Sequence, residues 1–108
     1  MNNQSPTGAG STARSQRPSI NLPLGRLLST PGAIEAMAKA GQDTSKLLNR
    51  HRTGDWGEVD AEDRASNDRA AIHGERILSA YTLNDGVRLW IITEADRAAT
   101  TILLPDEY

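Results

Sequence analysis

The alternation of apolar and polar positions is clearest in the last third of the chain. Ile77, Ser79, Tyr81 and Leu83 share one side, and Leu78, Ala80 and Thr82 the other. Val87, Leu89 and Ile91 then alternate with Arg88, Trp90 and Ile92, and Thr100–Leu104 is a third short apolar run. A period of two is the signature of strands. Asp-Gly within Asn84-Asp85-Gly86 supplies the positive φ values that a tight hairpin needs. The pattern predicts a three-stranded antiparallel meander over Ile77–Leu83, Val87–Thr93 and Thr100–Leu104. Both faces carry apolar side chains, so both are at least partly covered. Helices cover one; the other is left for an N-terminal arm or a partner. Trp90, in mid-strand, is expected in the core.

Upstream the period lengthens. Thr30 is a good N-cap and Pro31 suits the first helical position. Ala33–Ala40 are strong helix formers, and Gly41 is placed to stop them. Ile34, Met37 and Leu27 or Leu28 are expected to face the core. A second short helix starts at Asp43 or Thr44, runs through Lys46-Leu47-Leu48 to about His51, and stops at Gly54. A third is capped by Asp60 and runs from Ala61 to about His73, with Gly74 after it. Glu62 and Asp63 in its first turn suit the helix dipole, and His73 suits its last turn. Ala61, Ala65, Ala71 and Ile72 give it only a thin apolar stripe, which places it at the surface. Ile20-Asn21-Leu22-Pro23-Leu24 is apolar at alternate positions and interrupted by Pro, the mark of an extended arm. Residues 1–19 are almost devoid of apolar side chains and are expected to form a disordered tail. The fold class expected is α+β: two or three N-terminal helices packed on the meander, in one domain over 20–108.

Composition narrows the function classes. A chain of 108 residues has room for one small domain. It lacks cysteine, so disulfides and thiolate zinc sites are excluded. No apolar run is long enough to span a membrane, and no apolar stretch follows the N-terminal charges as a secretory signal would. A cytoplasmic protein with no cofactor is expected, and self-association through a sheet edge suits a domain this small. The net charge of −2 hides a split. Residues 1–53 carry seven basic groups against two carboxylates, a net +5; residues 54–108 carry five against twelve, a net −7. Such asymmetry points to an interaction surface, although the halves also neutralise each other.

The candidate chemistry is sparse. Asp55, Glu58, Asp60, Glu62, Asp63 and Asp68 place six carboxylates within fifteen residues. The calcium-loop spacing is not met, so these acids read either as a solvated helix start or as an acidic face that imitates nucleic-acid phosphates. Trp56, between two glycines, reads either as a staple to the core or as an exposed anchor. Asp55, Trp56, Glu58, Asp60, Glu62 and Asp63 are the candidate partner-binding residues. His51, Asp55, Glu94 and Asp96 are the only set that could serve a metal-dependent hydrolase. Arg14, Arg17, Lys46, Arg50 and Arg52 are the candidate phosphate contacts of a small DNA-binding regulator, against which the acidic overall balance argues. No phosphate loop, nucleophile elbow or dinucleotide fingerprint is present, which favours a binding module over an enzyme.

Residues 54–68 (Gly-Asp-Trp-Gly-Glu-Val-Asp-Ala-Glu-Asp-Arg-Ala-Ser-Asn-Asp) and 77–108 resemble a family of small bacterial proteins carried on plasmids and other mobile elements. The likeness is strongest in Trp90-Ile-Ile-Thr-Glu-Ala-Asp-Arg97 and Thr100-Thr-Ile-Leu-Leu-Pro-Asp-Glu-Tyr108. It covers about residues 30–108 and transfers no catalytic residues. It implies an accessory protein of a mobile element, working in defence evasion, maintenance or regulation. The sequence therefore predicts a non-enzymatic protein that binds and inhibits a host defence complex of restriction or CRISPR type.

Overall fold

The computed structural model describes residues 20–108. The tail expected over residues 1–19, with Arg14 and Arg17, lies outside the described residues. The described residues form an α+β fold, with three α-helices and one four-stranded mixed sheet among them. Strand β1 (Arg26–Ser29) leads into helix α1 (Pro31–Ala40), then α2 (Thr44–Arg52) and α3 (Ala61–His73). Strands β2 (Ile77–Thr82), β3 (Arg88–Thr93) and β4 (Ala99–Leu103) follow, and a single 3₁₀ turn over Pro105–Glu107 ends the chain.

The meander expected from the sequence is present, within a residue of its predicted ends, but it is not the whole sheet. The strand order is β1-β4-β3-β2, with β1 parallel to β4 and the other pairs antiparallel. Strand β1 left no periodic trace because all four of its residues are exposed. Leu27 and Leu28 accordingly do not face the core. The β2–β3 hairpin also differs from expectation. Leu83 N–H donates to the Val87 carbonyl and Gly86 N–H to the Leu83 carbonyl. Only Gly86 has a positive φ there, at 91°, so the loop has three residues and a single left-handed position.

The helix caps form as the sequence indicates. Thr30 accepts from Ala33 N–H, Asp43 from Ser45 N–H and Asp60 from Asp63 N–H. The register puts Ile77, Ser79 and Tyr81 opposite Thr93, Ile91 and Leu89, and Thr93 and Ile91 opposite Thr100 and Ile102. These side chains form the inner face. Ala33, Ala36, Met37 and Leu47 from α1 and α2 pack with Tyr81, Leu89, Ile91 and Ile102 in the main core. Ile34 points outward instead and is 59% exposed.

The arm over residues 20–24 lies on this same inner face, not on the opposite one. Its Leu22 packs with Trp56, Ala70 and Ile77 where α1 and α2 do not reach. Leu22 N–H donates to the Arg52 carbonyl. The outer face carries Leu28, Leu103, Trp90, Ile92 and Leu78 by register. Trp90 is only partly buried there. The C-terminal Tyr108 meets it edge-on at 5.8 Å, and the Arg76 guanidinium sits 5.0 Å from the Tyr108 ring centre.

Candidate functional site

The segment between α2 and α3 carries most of the candidate residues, and its course is set by Trp56. That side chain is 2% exposed, so it is a core residue and not a surface anchor. Its indole N–H donates to the Asp68 carboxylate at 2.9 Å, and its ring meets His51 edge-on at 5.8 Å. The backbone around it joins the sheet. Ala80 N–H donates to the Trp56 carbonyl, and Glu58 N–H donates to the Ala80 carbonyl. Gly57 sits in this bridge with φ 75°, and a Cβ there would run into the Ala80 carbonyl and the Tyr81 ring. Only glycine satisfies both demands.

The acids ride on this pinned loop. Asp55 is exposed and forms an ion pair with Arg50 at 2.7 Å. The hydrogen bond to Asp55 holds the Arg50 guanidinium above its ordinary pKa, and Arg50 also lies 4.7 Å over the Tyr81 ring. Glu58 accepts from the Thr82 hydroxyl at 2.8 Å. Asp60 caps α3, while Glu62 and Asp63 occupy its exposed first turn. Asp63 also borders a shallow cleft of about 250 Å³ with Val59, Ser66, Asn67, Arg76 and Leu78. Five of the six candidate residues are thus exposed, and the sixth, Trp56, is buried.

The buried face of α3 is not the alanine stripe expected from the sequence. Asn67 and Ala70 are its buried residues, and Ile72 is exposed. Asn67 donates to the Leu78 carbonyl at 2.8 Å and accepts from Leu78 N–H. Its side-chain amide stands in for a strand residue at the β2 edge. Arg97, the one non-glycine residue with positive φ among those described, closes the other end of α3. Its guanidinium donates to the carbonyls of Ala70, Glu75 and Glu94.

The most reactive-looking pair is internal. His51 Nδ1 lies 2.6 Å from the Ser79 hydroxyl, and Nε2 lies 2.8 Å from the Thr93 hydroxyl. Thr93 and Thr100 hydroxyls are 2.7 Å apart, and Thr100 donates to the Leu24 carbonyl at 2.7 Å. Each hydroxyl has one proton, which fixes every direction. Thr100 spends its proton on Leu24, so Thr93 donates to Thr100. Thr93 must then accept from His51 Nε2–H, which leaves Nδ1 to accept from Ser79. The imidazole is the neutral Nε2–H tautomer. Burial, with Arg97 nearby as the smaller cause, pulls its pKa down from 6.5 to about 4. His51, Ser79, Thr93 and Thr100 are all fully buried, so this Ser–His pair meets no substrate. It ties the N-terminal arm through the sheet to α2. A sequence signal existed: Ser79, Thr93 and Thr100 fall on inward-facing strand positions, where hydroxyls require a polar partner.

The hydrolase set does not assemble. His51 is enclosed, Asp55 pairs with Arg50, Glu94 lies 3.8 Å from Arg76, and Asp96 accepts from Ala98 N–H in its own turn. Among the described residues no group of three or more metal-ligating side chains occurs. Of the basic candidates on α2, Arg50 is engaged as above and Arg52 donates to Asn21 and Asn49. Lys46 is exposed. Among the described residues no helix is long and apolar enough to cross a membrane. Comparison with protein-family models, curated proteins and solved structures gives no match.

Proposed function

We propose that this chain is a non-enzymatic interaction protein of a mobile element. It docks the acidic surface of Asp55, Glu58, Asp60, Glu62 and Asp63 on the nucleic-acid-binding surface of a host defence complex and inhibits it. The observation that carries this reading is the support under those acids. A buried Trp56, a two-bond backbone bridge to Ala80 and the Asn67 amide hold the loop and the start of α3 in one arrangement. Acids held in advance lose little freedom on binding, so their charge complementarity goes into rate and specificity. The buried histidine and hydroxyls, by contrast, are consumed internally. The resemblance to mobile-element proteins supplies the host setting.

The test is affinity capture from host lysate beside a restriction or interference assay in cells. A triple variant, Glu58→Lys, Glu62→Lys and Asp63→Lys, changes exposed residues only. The reading expects the parent protein to capture a nuclease or guide-RNA complex and protect incoming DNA. The variant should lose both properties while its circular dichroism is unchanged; its thermal midpoint falls modestly, because Lys at positions 62 and 63 opposes the α3 dipole. Capture of no defence component, with no protection in cells, overturns the reading.

A further inference from the structure

The two edges of the sheet are finished differently. At β2, the outward backbone groups of Ala80 are taken by Trp56 and Glu58, and those of Leu78 by Asn67. At β1, Arg26 N–H donates to the Ala98 carbonyl and Thr30 N–H to the Ile102 carbonyl. Even-numbered residues therefore face β4, and in a parallel ladder the alternate residues face away. The N–H and C=O groups of Leu27 and Ser29 point outward, with no backbone partner among the described residues. Leu27 is 54% and Leu28 42% exposed. An open, apolar strand edge is a template for another strand.

We propose that β1 pairs antiparallel with β1 of a second copy, about a two-fold axis through Leu28. The register follows from which groups are available. Leu27 and Ser29 are the outward-bonding residues, and antiparallel partners exchange both bonds. Pairing Leu27 with Ser29 of the second copy, and the reverse, satisfies all the outward groups of both strands. Any register shifted by two residues brings Gly25 or Pro31 into the ladder. Gly25 has φ 64°, outside the strand region, and Pro31 lacks an N–H.

The same register makes the side chains complementary. Leu28 meets Leu28 at the close, non-hydrogen-bonded position. Arg26 falls opposite Thr30 of the second copy. The Thr30 hydroxyl donates to the Glu107 carboxylate, which also accepts from Gly32 N–H and Leu104 N–H. Those hydrogen bonds, the Thr30 one foremost, hold Glu107 below its ordinary pKa. Each Arg26 guanidinium thus comes beside a fixed carboxylate, twice by symmetry, as an isologous contact requires. The two sheets join into one of eight strands whose outer edges are both closed by Trp56, Glu58 and Asn67. A third copy finds no edge, so assembly stops at two.

The test is light scattering on the full chain across a concentration series, with amide exchange on the same samples. The expected result is twice the chain mass, with the Leu27 and Ser29 amides protected. Leu28→Lys places two ammonium groups on the axis, and Ser29→Pro removes an outward N–H without touching a bond to β4. Each should raise the dimer dissociation constant about tenfold or more and release the Leu27 amide to fast exchange, with circular dichroism unchanged. Arg26→Glu should weaken the dimer most at low salt. If Ser29→Pro misfolds, Leu28→Lys decides alone, because that side chain is already solvent-facing. A monomer at every soluble concentration overturns the proposal. So does a dimer indifferent to Leu28→Lys.

Discussion

Acidification should destabilise this domain in a window governed by one residue. His51 is neutral in the fold because burial pulls its pKa from 6.5 to about 4. Above pH 6.5 it is neutral in both folded and unfolded chains, so it contributes no pH dependence. Between 6.5 and 4 the unfolded chain takes up a proton that the folded chain refuses. Stability therefore falls as pH falls through this range and levels off below it. The full loss is about 3 kcal/mol, a large part of the roughly 5–15 kcal/mol typical of a small domain. In urea, with a slope of about 1–3 kcal/mol per M for a chain this size, the midpoint should drop by about 1–3 M.

The window is separable from the carboxylates. Asp43 and Glu107 have pKa values lowered from 3.8 and 4.5, chiefly by the hydrogen bonds from Ser45 and Thr30. Their contributions are present above those values and are lost only as pH falls below them. The assay is urea unfolding at closely spaced pH between 8 and 3, beside the His51 ring resonances by NMR. His51→Gln can still accept from Ser79 and donate to Thr93, and it does not titrate. That variant should be less stable at pH 7 because the amide fits the two hydroxyls less well, but its stability should be flat from 6.5 to about 5, above the range where Glu107 starts to lose its contribution. A parent chain that loses under about 1 kcal/mol across the window refutes the reasoning. So does a variant with the parent's slope.

The other expectations concern the supports beneath the acidic surface. Gly57→Ala forces a methyl into the Ala80 carbonyl at positive φ and should cost about 2 kcal/mol or more, read as a lower thermal midpoint. Trp56→Phe keeps most of the buried area but removes the indole hydrogen bond to the Asp68 carboxylate, and should cost about 1 kcal/mol in urea unfolding. Asn67→Ala reopens the Leu78 backbone at the β2 edge; beside a loss of about 1–2 kcal/mol, it should give soluble species larger than a dimer in light scattering.

The parts legible in the sequence were those governed by local rules. Thr30-Pro31, Asp43 and Asp60 announce helices because a cap needs only its own neighbours. Strands β2, β3 and β4 announce themselves by alternation, since each has a buried and a less buried side. Strand β1 was illegible for the converse reason: with Arg26 to Ser29 all exposed, its strand state comes from pairing with β4, seventy-odd residues away in sequence. The arm was visible but its face was not, because Leu22 could have filled either side of the sheet. Trp56 was placed among the partner-binding residues on the strength of its flanking glycines. Gly57 instead lets the backbone come close to β2 at Ala80, and Gly54 makes room for Ile20 of the arm, so the ring between them is buried.

The buried polar chain explains how so small a core acquires a single arrangement. Phenylalanine is absent and the main cluster is aliphatic apart from Tyr81, a type of packing that tolerates many rearrangements at little cost. The line from Ser79 through His51, Thr93 and Thr100 to Leu24 tolerates none. A slip of one residue in β3 or β4 would turn the Thr93 or Thr100 hydroxyl away and leave the imidazole unsatisfied in a site closed to water. The hydroxyls thus set the strand register, the register sets which groups of β1 point outward, and the arm is fastened by the same chain of protons. Exchange of Thr93 for Val, similar in volume but without a hydroxyl, separates these roles. It leaves His51 Nε2–H without an acceptor and breaks the link to Thr100. The expected result is a loss of about 1–3 kcal/mol, with the amide of Leu22 exchanging faster while those of α1 hold. Uniform loosening of the whole core would show that packing, and not this line of hydrogen bonds, positions the arm.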